Sequence, residues 1–279
     1  MKRHRNKKKI SLFLDSGAFT AFTKNITIDI QEYIKFIKEH IQYIDVYVNL
    51  DVIGNAEATW ENQQIMEKAG LWPLPVFHSM FEDMKWLKKY IDAGHDYVGI
   101  GGIAGTDFNT KQVVKRLDDC FEYMCPGPDH LPIVKVHGFG ITSVPLMIRY
   151  PWYSVDSTSW VLSGRFGAVY VPKKKRGRYD FNEIPYKINV SDRSPSVKDA
   201  GKHISTFSED ERRAILSYFK EKGYELGESD KDGEIITPGL CNEYKLRDEM
   251  NIIYFLDLED ALPDWPWKFK LQKSRGLLR

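Results

Sequence analysis

Three aspartates in this sequence close apolar runs. Asp15 follows Leu12-Phe13-Leu14, Asp51 follows Val48-Asn49-Leu50, and Asp156 follows Tyr153-Ser154-Val155 and precedes Ser157-Thr158-Ser159-Trp160. A carboxylate at the end of a buried strand is held by rigid backbone and still meets solvent. Several on one rim suit glycosyl chemistry, in which one carboxylate attacks an anomeric carbon and another handles the leaving group's proton. A single strand-end Asp also serves as a turn residue or helix cap, and for Asp15 and Asp51 that plainer reading stays open.

Other groups fall at the same kind of position. Gly101 and Gly102 close the run Val98-Gly99-Ile100, putting bare backbone where a flat ring can lie close; the alternative is a tight turn. His137-Gly138-Phe139-Gly140 has the glycine spacing of a phosphate loop without the rest of that fingerprint. His78 and His137 could act as ligands or acid–base groups. Isolated strand-end histidines are more often hydrogen-bonded structural residues, which is the reading taken for His78. No metal site is expected: Cys120 and Cys125 are five apart on a predicted helix, Cys241 stands alone, and no Cys-x-x-Cys occurs. No Walker loop or Ser–His–Asp order is visible either.

Elements of alternating type must hold these residues. Apolar runs at 10–14, 45–50, 74–77, 97–100, 133–136 and 151–155 read as strands buried on both faces. Helical spacing or helix-closing glycines mark 28–44, 56–69, 81–93, 109–124 and a short piece at 145–149. Further strands at 168–171 and 251–256 bring the count to eight. Eight favours a closed (β/α)8 TIM-type barrel over an open doubly wound sheet, and such barrels carry their chemistry at the C-terminal strand ends. The C-terminal third, 173–250, reads as a polar and helical excursion before the last strand. Within it Ser208 to Glu211 has a capping-box pattern, and another helix is expected at 238–250. No boundary is visible, so 1–279 reads as one domain with a basic tail at 1–9.

Composition fits a soluble globular protein: 279 residues, 42% hydrophobic and 28% charged, with net charge +1. No apolar run approaches a membrane span and no signal-peptide core is present, so no membrane partner is expected. Three cysteines without paired spacing point to a reducing compartment, the cytoplasm (of the host, if the protein is viral). The positive charge is clustered. Besides the tail, Lys173, Lys174, Lys175, Arg176 and Arg178 crowd one loop, which reads equally well as a phosphate track or as a solvated loop.

Taken together these motifs resemble the tRNA-guanine transglycosylase superfamily. Asp15-Ser16-Gly17-Ala18-Phe19 is similar to the family's Asp-Ser-Gly-Gly-Phe/Tyr, and Asp51 falls where the family has a second base-recognising aspartate. Gly99-Ile100-Gly101-Gly102-Ile103-Ala104-Gly105 is similar to its Ile-Gly-Gly-Leu-Ala segment, and Val136-His137-Gly138-Phe139-Gly140 to its Leu-Met-Gly-Val-Gly. Val155-Asp156-Ser157 then matches the Phe-Asp-Cys segment that carries the nucleophile. The five occur in family order over roughly 10–172.

The resemblance implies a base exchange without a cofactor. Asp156 would form a covalent glycosyl-enzyme as guanine leaves, and a 7-deazaguanine base (cyano or aminomethyl form) would displace it. Asp15 would hold the base and shuttle a proton, with Ser16 and Gly17 beside it. Asp51 and the Gly101–Gly102 backbone would read the purine edge, with His78, His137 and Gly138 lining the site. The family's structural zinc motif is absent after Asp156, and His78 and His137 replace its Gln and Met. These departures resemble the phage-type DNA 7-deazaguanine transglycosylases, which makes DNA the expected partner and Lys173–Arg178 its phosphate grip. A tRNA substrate with the same chemistry, a non-catalytic nucleic-acid-binding barrel, and an unrelated nucleoside hydrolase are the alternatives.

Overall fold

Six short strands run parallel, in chain order, in a computed structural model of the protein, which describes residues 11–103, 109–141, 143–194 and 199–270. The basic tail, and Ala104 and Gly105 of the glycine-rich segment, lie outside the described residues. Contact density divides the chain into two compact units. One comprises Met1–Ile141, Pro151–Asp156 and Pro266–Leu271, the other Thr142–Tyr150, Ser157–Trp265 and Gln272–Arg279. The sequence has no boundary to mark this division, because each unit takes segments from several places along the chain.

The first unit holds the parallel strands. Its elements are β1 (Phe13–Leu14), α1 (Ala18–Lys24), α2 (Ile30–His40), β2 (Val46–Tyr47), α3 (Ala56–Lys68), β3 (Val76–His78), α4 (Met84–Asp92), β4 (Tyr97–Gly101), α5 (Thr110–Met124), β5 (Lys135–Gly138) and β6 (Ser154–Val155). β1 pairs with β2, and β3-β4-β5-β6 form one sheet. A parallel bridge from Val48 to Leu74 joins the two sets. Each strand therefore lies beside the next in sequence, as crossover helices impose. Helix starts are written locally: Asp29, Asn55 and Asp83 each accept a first-turn N–H, and Asn109 closes a capping box with Gln112.

This strand layer curls. The Phe13 ring of β1 stacks on the His137 ring of β5 with centroids 4.4 Å apart. Three strands lie between them in the order, so a flat sheet would separate them by about 19 Å at the usual strand spacing. The space inside the curl is filled by Val48, Leu74 and Val76, with Phe13, Val46, Tyr97 and Phe139 packed against them. Gly99 belongs to this packing, since a Cβ there would sit 2.4 Å from Cε2 of Phe139. Only a glycine lets the ring close over β4.

The second unit contains α6 (Val144–Arg149), α7 (Ser159–Arg165), β7 (Ala168–Val171), β8 (Lys173–Lys175), β9 (Arg178–Asp180), β10 (Tyr186–Asn189), α8 (Glu209–Glu221), β11 (Glu228–Ser229), β12 (Ile235–Thr237) and α9 (Tyr244–Ala261). β7 pairs antiparallel with β10, and β8 with β9. Val169, Val171 and Ile188 form a core with Ile215, Tyr218 and Phe219 of α8 and Met250 of α9. The Ser208–Glu211 capping box is present at the start of α8.

One expected strand is corrected. Residues 251–256 are not a strand: Asn251 to Leu256 lie within the single helix α9. Ile252-Ile253-Tyr254-Phe255-Leu256 has the composition of a buried strand, but burial follows a helical stripe of Arg247, Met250, Asn251, Tyr254 and Leu258. Asn251 binds α9 to β7. Its Oδ1 accepts the Tyr170 N–H at 3.0 Å, and its Nδ2 donates to the carbonyls of Ala168 (3.2 Å) and Trp160 (3.0 Å). A buried side-chain amide thus satisfies backbone groups of β7.

Candidate active site

The first unit gathers Asp15, Asp51, His78, Gly101, Gly102, His137, Gly138 and Asp156 at the C-terminal ends of its parallel strands. Asp156 follows β6 directly, and its side chain is 62% exposed. Its backbone N–H donates to the Gly138 carbonyl at 3.2 Å. The Gly140 N–H donates to its Oδ1 at 2.6 Å, a charge-assisted bond that fixes the carboxylate while Oδ2 accepts nothing among the described residues. The Gly-x-Gly turn after β5 is therefore an anchor for a carboxylate rather than an open phosphate loop.

His137 lies beside this carboxylate. Burial lowers its pKa to about 4, against the pull of Asp156, so the ring is neutral and the 3.8 Å from its Nε2 to Asp156 Oδ1 is no ion pair. Its Nδ1 lies 2.7 Å from Ser154 Oγ, which lies 2.6 Å from the Tyr97 hydroxyl. The Nε2 is buried without a hydrogen bond. A bare lone pair there would face the carboxylate, so electrostatics favours the tautomer with its proton on Nε2. Nδ1 then accepts from Ser154, and Ser154 from Tyr97, whose phenol burial keeps protonated. Three side chains from β4, β5 and β6 thus aim one N–H at Asp156.

A second cluster surrounds Asp51. Ser16 Oγ donates to its Oδ1 at 2.9 Å, and His78 Nε2 meets its Oδ2 at 2.9 Å. On its other side His78 Nδ1 meets Glu82 Oε1 at 2.7 Å. Burial opposes charge on the His78 ring, but hydrogen bonds and charge from Asp51 and Glu82 outweigh it and push the pKa up to about 9. His78 is an imidazolium at neutral pH, clamped between two carboxylates. Asp15 lies exposed after β1, its Oδ1 accepting the Ser16 N–H at 2.8 Å. Partial burial and then the Asp51 charge raise its carboxyl above the usual range; the Ser16 and Gly17 amides pull the other way, and Asp156 adds to the rise.

The remaining sequence candidates divide. Gly17 caps α1 in the left-handed region at φ 75°. The carbonyl of Gly101 is taken by the Ser79 N–H (3.0 Å) and hydroxyl (3.2 Å), and Gly102 turns the chain at φ 72°. Gly138 has Ile141 and Trp152 where a Cβ would point. Lys173, Lys174, Lys175, Arg176 and Arg178 form the β8–β9 hairpin of the second unit, where Lys174 and Lys175 lie 3.9 Å from Glu221 and Asp180. Glu82, Tyr97 and Ser154 escaped the sequence reading. Glu82 is four residues after His78, and Ser154 is two before Asp156 on the same strand face; those spacings were the available signals.

Among the described residues, no three His, Cys, Asp or Glu side chains gather to hold a metal ion, and Cys120, Cys125 and Cys241 are buried and free. No described helix is long and apolar enough to cross a membrane. Compared with known proteins, the sequence matches no family model and no curated protein.

Proposed function

We propose that the protein is a guanine transglycosylase that exchanges guanine in DNA for a 7-deazaguanine base. The observation that carries this reading is the pair of unlike carboxylates on one rim. Asp156 is exposed, anchored through Oδ1 and open at Oδ2, whereas Asp15 has a raised pKa beside Asp51. Two carboxyl groups whose surroundings push them apart can divide nucleophile and proton carrier between them. In this mechanism Asp156 Oδ2 attacks the anomeric carbon, the C–N electron pair leaves with guanine, and Asp15 supplies the proton that guanine takes. The incoming base then attacks the same carbon, breaks the aspartyl ester and returns its proton to Asp15.

The curl of β1 to β6 supports six staves of a TIM-type barrel, with the site at the strand C-termini. Duplex DNA would present its guanine flipped out, at a cost of a few kcal/mol repaid by stacking and edge contacts. The β8–β9 hairpin supplies basic groups suited to phosphates, and no cofactor enters the chemistry. Incubation with labelled guanine and either duplex DNA or tRNA tests the reading. Label entering DNA supports it, label entering only tRNA moves the activity to tRNA, and guanine released without exchange makes the protein a hydrolase.

A further inference from the structure

A pocket of about 550 Å³ opens within the second unit between the end of α7, the turn at 191–194 and the start of α9. Its walls carry Arg165, Arg193 and Arg247 against one carboxylate, Asp192. Arg247 is only 5% exposed. Its Nε donates to the Gly164 carbonyl at 2.6 Å and its Nη1 to that of Leu240 at 2.7 Å. It has no ion-pair partner among the described residues, and Nη2 is not among the buried atoms lacking a partner, so that nitrogen reaches the pocket surface. Burial lowers the guanidinium's pKa, and Asp248 and Asp192 counter only by charge at a distance. A guanidinium fixed by two carbonyls, with its remaining N–H groups facing a cavity, is a preorganised anion receptor.

The neighbouring groups narrow the anion. Arg165 makes no hydrogen bond or ion pair among the described residues, and Arg193 spends one N–H on the Gly233 carbonyl at 3.2 Å. Asp192 is partly occupied by the Ser229 hydroxyl at 2.5 Å. At the rim Phe166 is 76% exposed and Tyr244 45% exposed, an arrangement that leaves two aromatic faces beside three guanidinium groups. A bare carboxylate or inorganic anion has no use for those faces; a nucleotide has both a phosphate and a flat base. We infer that this pocket binds a phosphodiester of a nucleic-acid strand, with an adjacent unstacked base lying on Phe166.

This site is read by binding alone, so it stands whether or not Asp156 performs glycosyl transfer. The test is fluorescence anisotropy of the full chain with a labelled single-stranded oligonucleotide, as DNA and as RNA, over a salt series. Arg165→Gln with Arg193→Gln should weaken binding by about tenfold or more and lower the slope of log K against log salt by roughly 1.4, for two phosphates released. Phe166→Ala should cost about tenfold without changing that slope. Arg212→Gln with Lys220→Gln, on the exposed face of α8, removes the same charge away from the pocket and should change little. Equal losses in both charge variants, or unchanged affinity in the pocket variant, would overturn the inference. So would complete competition by inorganic phosphate at the oligonucleotide's own phosphate concentration, which would mark a site for small anions only. Melting curves of each variant check that the fold survives.

Discussion

The Nε2 of His78 lies 2.9 Å from Oδ2 of Asp51, and this contact sets the charge of the rim. With Glu82 on its other nitrogen, the folded-state pKa rises from 6.5 to about 9 although burial opposes it. A histidine raised on folding contributes stability that is fully present below 6.5 and is lost as pH climbs through about 9. Melting temperature should therefore fall across that window. His78→Gln should be less stable at pH 6 and should flatten the slope; an equally steep fall in the variant would show that another group is responsible.

His137 has the opposite sign. Its pKa drops from 6.5 to about 4 on burial, so it contributes stability present above 6.5 and lost as pH falls toward about 4. Ser154→Ala removes the hydroxyl that links Tyr97 to His137 and leaves both partners unmatched, at a cost of about 1–3 kcal/mol. Ser154→Thr keeps the hydroxyl and should recover most of it. Denaturant melts of the two variants decide the point: equal losses would mean that only packing matters there.

Gly99→Ala tests the curl. The added methyl would lie 2.4 Å from the Phe139 ring, and overpacking of this kind costs about 1–3 kcal/mol. Adding Phe139→Leu should restore part of the loss. If Gly99→Ala alone proves neutral in urea, the ring does not close over β4.

Asn251→Ala should destabilise the protein by on the order of 2–3 kcal/mol, because it strands the Tyr170 N–H and two carbonyls. A strand at 251–256 would not make this one side chain so costly. Circular dichroism and a urea transition measure the effect, and a loss below that of an ordinary surface change would contradict the buried amide.

The sequence was most legible where local and tertiary preferences agree. The parallel strands are apolar runs covered on both faces, and the helices between them carry their own caps, so alternation could be read as far as Val155. Asn251 to Leu256 misled because β-branched and aromatic residues signal a strand by type while their burial follows a helix. α1 and α7 went unread: each is seven residues long and follows a strand-end aspartate whose polar context reads as a loop. In the site, the carboxylates were legible as strand ends. Their partners were not, because pairings such as Ser16 with Asp51 and Tyr97 with Ser154 join residues far apart in sequence, which only the fold brings together.

The central claim is that Asp156 is the nucleophile, and trapping the covalent intermediate tests it most directly. Protein incubated with guanine-containing duplex DNA, without an incoming base, then denatured, digested and weighed by mass spectrometry, should carry a glycosyl ester on the peptide containing Asp156. Asp156→Asn should carry none while still binding the duplex. An adduct mapped to another residue, or one that persists in Asp156→Asn, would contradict the account.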